Sequence, residues 1–424
     1  MQVKKESKPE FLIEAKHTTH TGGKGEHLHD WYSYLEGFSS SFVKGILEAY
    51  SPNAKIVLEP FAGVGTTPLN CSFLGITSYY CEVNPVLRKV INTKEKISKL
   101  NGKKKEIFIS KLLYLSDNIS FEVEKCASSV ELKERYFSCF GKSIFFSEEA
   151  FEKVLKFRSY IDKIDNDLVA SSLEVALMSC IVTCSLLKRS GDVRFKTIKE
   201  LDKGIPDFYD TVSQQLKRMA LDCKVCPESK NEIIFLTSNA KDLVKHASIN
   251  ADIVITSPPY LNGTNYFRNT KLELWFIGEL INDKSLRLFR DQVVTSGIND
   301  VTRSKGNEIL PQLSYLYNEL LEKSYDKRIA KMMAAYFLEM KLVIEGLKSH
   351  VVEDGLICID IGDSIYSKIY IPTHKILIEI AKNIGLSLYD EVLLRKRTSK
   401  DGSPLGQFLL VFKRDRSNES KNER

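Results

Sequence analysis

The segment from residue 55 to residue 82 constrains the fold more than any other part of the chain. An apolar run, Lys55–Leu58, stops at a cluster of proline and glycine, which is typical of a buried parallel strand. Thr66–Leu74 can form a helix, and Thr77–Cys81 has the pattern of a second strand. A strand, a glycine loop, a helix and a second strand make up half of a doubly wound α/β fold. We therefore expect an α/β protein built on a Rossmann-like sheet.

The loop between the first strand and the helix has features of a ligand site. Gly63 and Gly65 allow a tight turn and a close approach of backbone to ligand, near the N-terminus of a helix. Glu82 stands seventeen residues after Gly65, at the end of the second strand. A carboxylate in that position can accept hydrogen bonds from both hydroxyls of a ribose. The spacing therefore predicts a cofactor that contains a ribose.

A second strand–loop junction carries the most specific chemical signal. The strand Ala251–Ile255 runs directly into the sequence Thr-Ser-Pro-Pro-Tyr, residues 256–260. Because two prolines hold an extended shape and lack N–H donors, the carbonyl groups of Ser257 and Pro258 are free to face a ligand. Two acceptors that bind the hydrogens of an exocyclic amine would localise its lone pair. The ring of Tyr260 can hold a planar base by stacking.

The rest of the chain suggests a discontinuous catalytic domain. We expect a loose N-terminal arm over residues 1–30, a catalytic domain over 31–95 and 231–415, and a disordered charged tail over 416–424. Residues 96–230 show amphipathic helical patterns and predict a helical insertion. Residues 281–327 are charged and irregular, and a target-recognition segment is predicted there. Strand and helix patterns then alternate to the end of the chain, with helices near 328–349 and 373–384 and strands near 356–361, 386–394 and 407–413.

Composition excludes some classes of protein and leaves others open. The 424 residues carry a formal net charge of +6, which is compatible with a polyanionic partner without identifying one. No stretch of about 18 apolar residues is present, so no membrane span is expected. Nine scattered cysteines are typical of reduced thiols in the cytoplasm. Cys223 and Cys226 form a single CxxC sequence, and no second pair of cysteines lies nearby to complete a zinc site. We therefore expect no metal site.

The two loops resemble those of a known family. Residues 59–66, Glu-Pro-Phe-Ala-Gly-Val-Gly-Thr, look like the first motif of the amino-methylating DNA methyltransferases, and residues 257–260 look like their catalytic tetrad, (D/N/S)PP(Y/F/W). The resemblance implies the class I S-adenosylmethionine-dependent fold, a mostly parallel sheet with a reversed final strand. It also implies a catalytic tetrad formed by Ser257, Pro258, Pro259 and Tyr260.

The resemblance extends to other segments and implies further site residues. Residues 29–39 look like the N-terminal cofactor-binding segment, and residues 239–242 look like the place where the family sets an acid beside the cofactor adenine. The first motif begins with Glu59 where the family more often has Asp. The residues that the resemblance assigns to S-adenosylmethionine are Tyr34, Phe38, Ser39, Glu59, Pro60, Phe61, Gly63, Gly65, Thr66, Glu82, Asn239 and Asp242.

The serine form of the tetrad is most common in family members that methylate cytosine. The resemblance therefore implies transfer of a methyl group to N4 of cytosine in duplex DNA, with the target base flipped out of the helix. It also implies a modification enzyme that works beside a restriction endonuclease acting on the same site. Basic residues outside the two loops are candidate DNA contacts: Arg189, Arg194, Lys196, Arg268, Arg287, Arg290, Arg395 and Arg397.

Four other functions remain open. The same enzyme could act on N6 of adenine, because pocket shape separates the two bases and the sequence does not give it. Related tetrads also occur in amino-methyltransferases of RNA and protein. A nucleotide-binding oxidoreductase would have a GxGxxG fingerprint, but Pro68 stands at the third glycine position. A DNA-binding module without catalysis would leave the intact tetrad unexplained.

Overall fold

The protein is described by a computed structural model that covers residues 13–34, 37–263, 266–303, 305–399 and 402–415. The predicted disordered tail, 416–424, and the first part of the predicted arm, 1–12, lie outside these residues. The described strands are β1 Ile56–Glu59, β2 Thr77–Cys81, β3 Leu187–Ser190, β4 Asp192–Phe195, β5 Ile233–Thr237, β6 Ala251–Thr256, β7 Val351–Gly362, β8 Ser364–Tyr366, β9 Ile369–Ile371, β10 Leu386–Thr398 and β11 Pro404–Arg414.

Helices cover the sheet and form most of the segment between β2 and β5. They are α1 Ser40–Tyr50, α2 Thr66–Phe73, α3 Pro85–Ser98, α4 Gly102–Glu124, α5 Val130–Phe140, α6 Glu148–Ile161, α7 Asp167–Cys180, α8 Ile198–Leu201, α9 Phe208–Val225, α10 Tyr266–Asn269, α11 Lys271–Phe276, α12 Ser285–Gln292, α13 Ser314–Lys323, α14 Arg328–His350 and α15 Thr373–Asn383.

Seven strands form the central sheet in the order β10-β11-β7-β6-β1-β2-β5. The strands from β7 to β5 pair in parallel, whereas β11 is antiparallel to both β7 and β10. The last strand of the chain is therefore the reversed one. This order is the Rossmann-like methyltransferase fold that the sequence predicts, and it brings the carboxyl ends of β1, β2, β6 and β7 to one edge.

The sheet is buried on both faces, which explains why its strands are runs of apolar residues. On one face, Phe42 and Ile46 of α1 pack in a cluster with Ile253 and Ile255 of β6. On the other face, α14 contributes Met333 and neighbouring side chains to a second cluster beneath β6 and β7. With both faces covered, the exposed edge at the strand ends is the part of the sheet that remains available for a ligand.

The segment between β2 and β5 is largely helical, with one feature that the sequence did not predict. Leu112 and Leu115 of α4 and Leu216 and Met219 of α9 are buried in one apolar cluster. After α7, however, β3 and β4 form a two-stranded antiparallel hairpin. The predicted 281–327 segment also contains regular structure, since α12 and α13 lie within it.

The described part of the predicted N-terminal arm is ordered and packed. Three short 3-10 helices occupy Ala15–Thr18, His20–Gly23 and His29–Trp31. Leu28 and Trp31 are fully buried, and the Trp31 indole donates to Asp222 of α9 at 2.8 Å. The expectation of a loose arm is therefore wrong from residue 13 onward, because apolar side chains anchor the segment to the core. None of the helices in the described ranges combines the length and apolar character that crossing a membrane requires.

Candidate active site

One cavity lies at the carboxyl edge of the sheet, and both loops singled out in the sequence line it. Phe61 and Gly63 come from the loop after β1, and Glu82 comes from the end of β2. The residues after β6, 257–260, form another part of the wall. The cavity volume of about 230 Å³ far exceeds the space of a single water. The fold therefore gathers the two predicted chemical elements into one site.

The glycine loop adopts backbone conformations that favour glycine. Gly63 has φ of 55° and Gly65 has φ of 86°. A Cβ on Gly65 would lie 2.8 Å from the Ile91 side chain of α3, and one on Gly63 would lie 3.2 Å from the Tyr34 ring. The Gly65 amide donates to the Ala62 carbonyl at 2.8 Å, which closes the turn. These contacts bring loop backbone to the cavity surface without a side chain in the way.

Glu82 is buried and braces the glycine loop. Its two carboxylate oxygens accept hydrogen bonds from the backbone amides of Gly63 and Asn84, both at 2.8 Å. Burial raises the pKa of Glu82 to about 7, although the two amides act in the opposite direction. Each oxygen has a second lone pair for a hydroxyl group of a ligand.

Glu59 joins the ends of β1 and β6 and does not line the cavity. Its carboxylate accepts hydrogen bonds from the hydroxyl groups of Thr256 and Thr67 and from the Phe61 amide. Burial raises the pKa of Glu59 to about 8. Because Thr256 immediately precedes Ser257, this contact fixes the position of residues 257–260 relative to the glycine loop. Glu59 thus links the glycine loop to residues 257–260 without lining the cavity itself.

Tyr260 takes part in a polar network that the sequence did not predict. Gln407 of β11 donates its side-chain amide to the Tyr260 hydroxyl at 3.0 Å and to the carboxylate of Asp360 in β7 at 2.8 and 2.9 Å. The Arg395 Nε atom of β10 donates to Gln407 Oε1. The Ser257 hydroxyl lies 3.4 Å from the Tyr260 hydroxyl. All of these residues line the cavity.

This network sets the protonation of its members. Burial raises the pKa of Asp360 to about 6. Burial, together with the Asp360 carboxylate, also raises the pKa of Tyr260 well above its ordinary value. The Tyr260 hydroxyl therefore stays protonated at neutral pH and keeps a neutral ring at the cavity wall.

Comparison with known proteins finds relatives of one kind. The Type II methyltransferase M.BsoBI of Geobacillus stearothermophilus is 23% identical over an alignment 448 residues long. The alignment covers 93% of this chain and 85% of that protein. The Type II methyltransferases M.AvaI of Nostoc sp. and of Anabaena variabilis are each 25% identical over 417 residues, covering 90% of this chain and 83% of theirs. The chain is thus similar to Type II methyltransferases over about nine tenths of its length.

Two further comparisons add nothing to this similarity. No protein-family model matches the chain. The solved structure of an rRNA methyltransferase, aviRa from Streptomyces viridochromogenes, covers 90% of this chain and 89% of its own chain at 8% identity, with a TM-score of 0.30. A second structure of the same protein gives a TM-score of 0.29. The similarity to Type II methyltransferases therefore depends on the sequence relatives, and the fold on the strand order.

The cavity fits S-adenosylmethionine, the cofactor that the sequence resemblance implies. The glycine loop leaves room where a Cβ would intrude, and Glu82 offers acceptors beside it. Most residues that the sequence assigned to the cofactor lie in the cavity wall: Tyr34, Phe38, Pro60, Phe61, Gly63, Thr66, Glu82 and Asn239.

Four assigned cofactor residues do not line the cavity. Ser39 caps α1 by accepting from the Phe42 amide, and Glu59 and Gly65 support the glycine loop from behind. Asp242 is turned toward Lys245, with which it forms an ion pair at 2.6 Å, whereas Asn239 lines the cavity. Asp242 lies in a 3-10 helix, Ala240–Lys245, and its contact with the cofactor stays a prediction that the cavity lining does not support.

The first group of predicted DNA contacts lies on the β3–β4 hairpin and directly after it. The Arg189 guanidinium forms an ion pair with the fully buried Glu273 and contacts the Tyr32 hydroxyl. Arg194 binds Glu200 through two nitrogen atoms, at 2.8 and 3.0 Å. Lys196 donates to two backbone carbonyls. Each of these three cations already has partners within the protein. This favours a structural role for it over a contact with a DNA phosphate.

The remaining predicted contacts fall into two places. Arg287 is exposed and Arg290 is half-buried on α12, and the Arg268 side chain on α10 is about half exposed, at 49%. Arg395 and Arg397 instead line the cavity, as Tyr260 does. Sequence reasoning missed Asp360 and Gln407. The one available signal was an acid within the apolar run of β7, since a buried carboxylate in such a run needs a partner.

Proposed function

We propose that this chain transfers a methyl group from S-adenosylmethionine to N4 of cytosine in duplex DNA. The observation that carries the proposal is the shared cavity, in which the Ser257–Tyr260 segment faces the glycine loop and Glu82. The relatives are Type II methyltransferases, which supports a modification enzyme that protects sites from a restriction endonuclease. N6 of adenine is the competing target.

In the proposed mechanism the protein orients an amine that is a weak nucleophile. The carbonyl groups of Ser257 and Pro258 accept hydrogen bonds from the amino group of the base, which localises the nitrogen lone pair. Tyr260 holds the base by stacking. S-adenosylmethionine supplies an electrophilic methyl group when it is bound. Because the product nitrogen can release its proton after attack, most of the rate acceleration comes from positioning.

The target base must leave the duplex to reach this site. Ser257 and Tyr260 are only partly exposed and line a recessed cavity, whereas a paired base is shielded by its neighbours. Base flipping, at a cost of a few kcal/mol of unstacking, is the general solution for enzymes that modify bases. We propose that the cavity receives the flipped base on the side formed by β7, β10 and β11.

Target reading is assigned to residues 281–327 together with the helical insertion. Gln292, Val293 and Val294 at the end of α12 line the cavity, while Arg287 on the same helix is exposed. The segment thus runs from the cavity to the surface. Glu339 of α14 accepts from the Thr295 amide at 2.6 Å and forms ion pairs with Lys241 and Lys305, which pins the segment beside the cavity.

Transfer of tritium from labelled S-adenosylmethionine tests the proposal. The purified protein is mixed in parallel with duplex DNA, single-stranded RNA and a protein mixture. Label incorporated into DNA, and lost when Tyr260→Ala is used, is the expected result. Label entering RNA or protein in preference to DNA would contradict the proposed substrate.

A further inference from the structure

Arg397 occupies an unusual position in the wall of the cavity. It lies on β10, and its guanidinium carbon is 5.6 Å from the centre of the Tyr260 ring. Its Nη1 atom is buried and has no hydrogen-bond partner. Among the described side chains that line the cavity, Arg397 is the one that has such an atom. A buried guanidinium N–H without an acceptor is unfavourable, so the site favours a ligand that supplies one.

Gly362 provides the space for this arrangement. A Cβ on Gly362 would collide with Arg397 Nη1 and would lie 3.1 Å from the Tyr260 ring. Gly362 stands opposite Gln407 in the pairing of β7 with β11. The backbone of β7 therefore lets the guanidinium and the aromatic ring approach each other beside the network of Asp360 and Gln407.

Arg395 provides a contrast on the same strand. Its Nε atom donates to Gln407 Oε1, and the Gln407 amide in turn donates to Asp360 and Tyr260. These donors are already matched to protein acceptors. Arg397 differs from Arg395 in that it has a buried donor, Nη1, without a protein partner.

Building on the proposed function, we propose that Arg397 donates a hydrogen bond to the carbonyl oxygen of the flipped base and thereby selects cytosine. Because the guanidinium lies beside the Tyr260 ring, we expect the polar edge of a base stacked on that ring to come within its reach. Cytosine presents O2 and N3 as adjacent acceptors that match a guanidinium fork, whereas adenine has no carbonyl. The nearby Asp360 carboxylate disfavours a phosphate in the same place, because like charges repel.

The test compares Arg397→Met with Lys382→Met, which removes the same charge from an exposed site at the end of α15. Initial rates of transfer to unmethylated phage DNA are measured at saturating S-adenosylmethionine, and cofactor affinity is measured by calorimetry. We expect Arg397→Met to lower the rate by roughly tenfold or more, the scale of one good arginine–base contact, with unchanged cofactor affinity. Lys382→Met should match the wild type. A wild-type rate for Arg397→Met would overturn the inference.

Two further measurements separate a base contact from a phosphate contact. Arg397→Lys keeps the charge but loses the planar fork, so it should remain as slow as Arg397→Met. The dependence of DNA affinity on salt should be the same for wild type and Arg397→Met. Two results would assign Arg397 to a phosphate and contradict the inference. One is a wild-type transfer rate for Arg397→Lys, and the other is a slope of log affinity against log salt concentration that is smaller by about one in Arg397→Met.

The proposed function fails independently of this inference. If the wild-type protein produces no N4-methylcytosine, the proposed reaction itself is wrong. If it produces N4-methylcytosine and Arg397→Met produces it at the same rate, the reaction stands and the role of Arg397 is rejected. Nucleosides from the phage DNA of the rate experiment are analysed by mass spectrometry to give both readings.

Discussion

Gln407 donates its side-chain amide to the Tyr260 hydroxyl at 3.0 Å, although 147 residues separate the two in the chain. The contact exists because β11 lies beside β7 and places Gln407 over the end of the sheet. It ties the aromatic ring of the proposed catalytic loop to the reversed strand. The orientation of the ring therefore depends on the last hairpin of the fold as well as on its own loop.

The ring of Tyr260 should matter more than its hydroxyl. Tyr260→Phe keeps the stacking surface and loses one hydrogen bond, so we expect transfer to slow by about tenfold at most. Tyr260→Ala removes the surface that holds the base, and base–aromatic stacking is worth about 1–3 kcal/mol, so a larger loss is expected. Transfer of label from S-adenosylmethionine to DNA measures both. Equal rates for the two variants would show that stacking is not the role of Tyr260.

The ionisation of Asp360 should appear in the pH profile of the enzyme. Its pKa is raised to about 6 by burial, and the charged form accepts the Gln407 amide through both oxygens. We therefore expect the turnover rate to fall as pH drops through about 6, because protonation weakens the network behind Tyr260 and Ser257. Asp360→Asn should be slower at neutral pH and should lack this acid limb. If Asp360→Asn kept the same fall in rate at acid pH, that fall would belong to another titrating group.

Glu82 should control cofactor affinity. Glu82→Ala removes the acceptors beside the glycine loop and the brace on the Gly63 amide, so we expect affinity for S-adenosylmethionine to fall by about 1–3 kcal/mol. Titration calorimetry without DNA measures this directly. Glu106→Ala, which changes an exposed acid on α4, is the matched control. Normal affinity in Glu82→Ala would remove the residue from the cofactor site.

Glu59 should make the stability of the protein depend on pH. Its pKa is about 8 in the folded protein, above the ordinary value of 4.5. The unfolded chain then loses this proton at lower pH than the folded protein does, so stability falls as pH rises from about 5 to about 8. Glu59→Gln should flatten this fall, by on the order of 2–4 kcal/mol over that range.

Urea unfolding of the protein at pH 5 and pH 8 provides the measurement. Glu82, whose pKa is also raised, to about 7, contributes a fall of the same sign in both proteins. The comparison between wild type and Glu59→Gln therefore isolates Glu59. An identical pH dependence in the two proteins would mean that Glu59 is ionised in the folded state throughout.

The features that the sequence revealed are local ones. The glycine loop, Glu82 and the Ser257–Tyr260 segment each follow a strand directly, so their place at the carboxyl edge follows from the strand pattern alone. The structure brings all three into one cavity. The position of a residue at a strand end in a parallel sheet can be predicted without knowing which distant strands pair.

The features that the sequence missed depend on distant pairing or on side-chain direction. Asp360 meets Gln407 only because β7 pairs with β11. Arg189 looked like a surface cation until the fold placed Glu273 against it. Asp242 lies in the predicted segment, but its side chain turns to Lys245. The pattern of residues adjacent in the sequence does not predict these side-chain contacts.

The central claim concerns the atom that receives the methyl group. Mass spectrometry of nucleosides from the DNA of cells that express the protein tests it most directly, with cells that express Tyr260→Ala as the control. We predict N4-methylcytosine in the first sample and none in the second. N6-methyladenine in place of N4-methylcytosine would contradict the assigned base, and the absence of both methylated bases would contradict the proposed reaction on DNA.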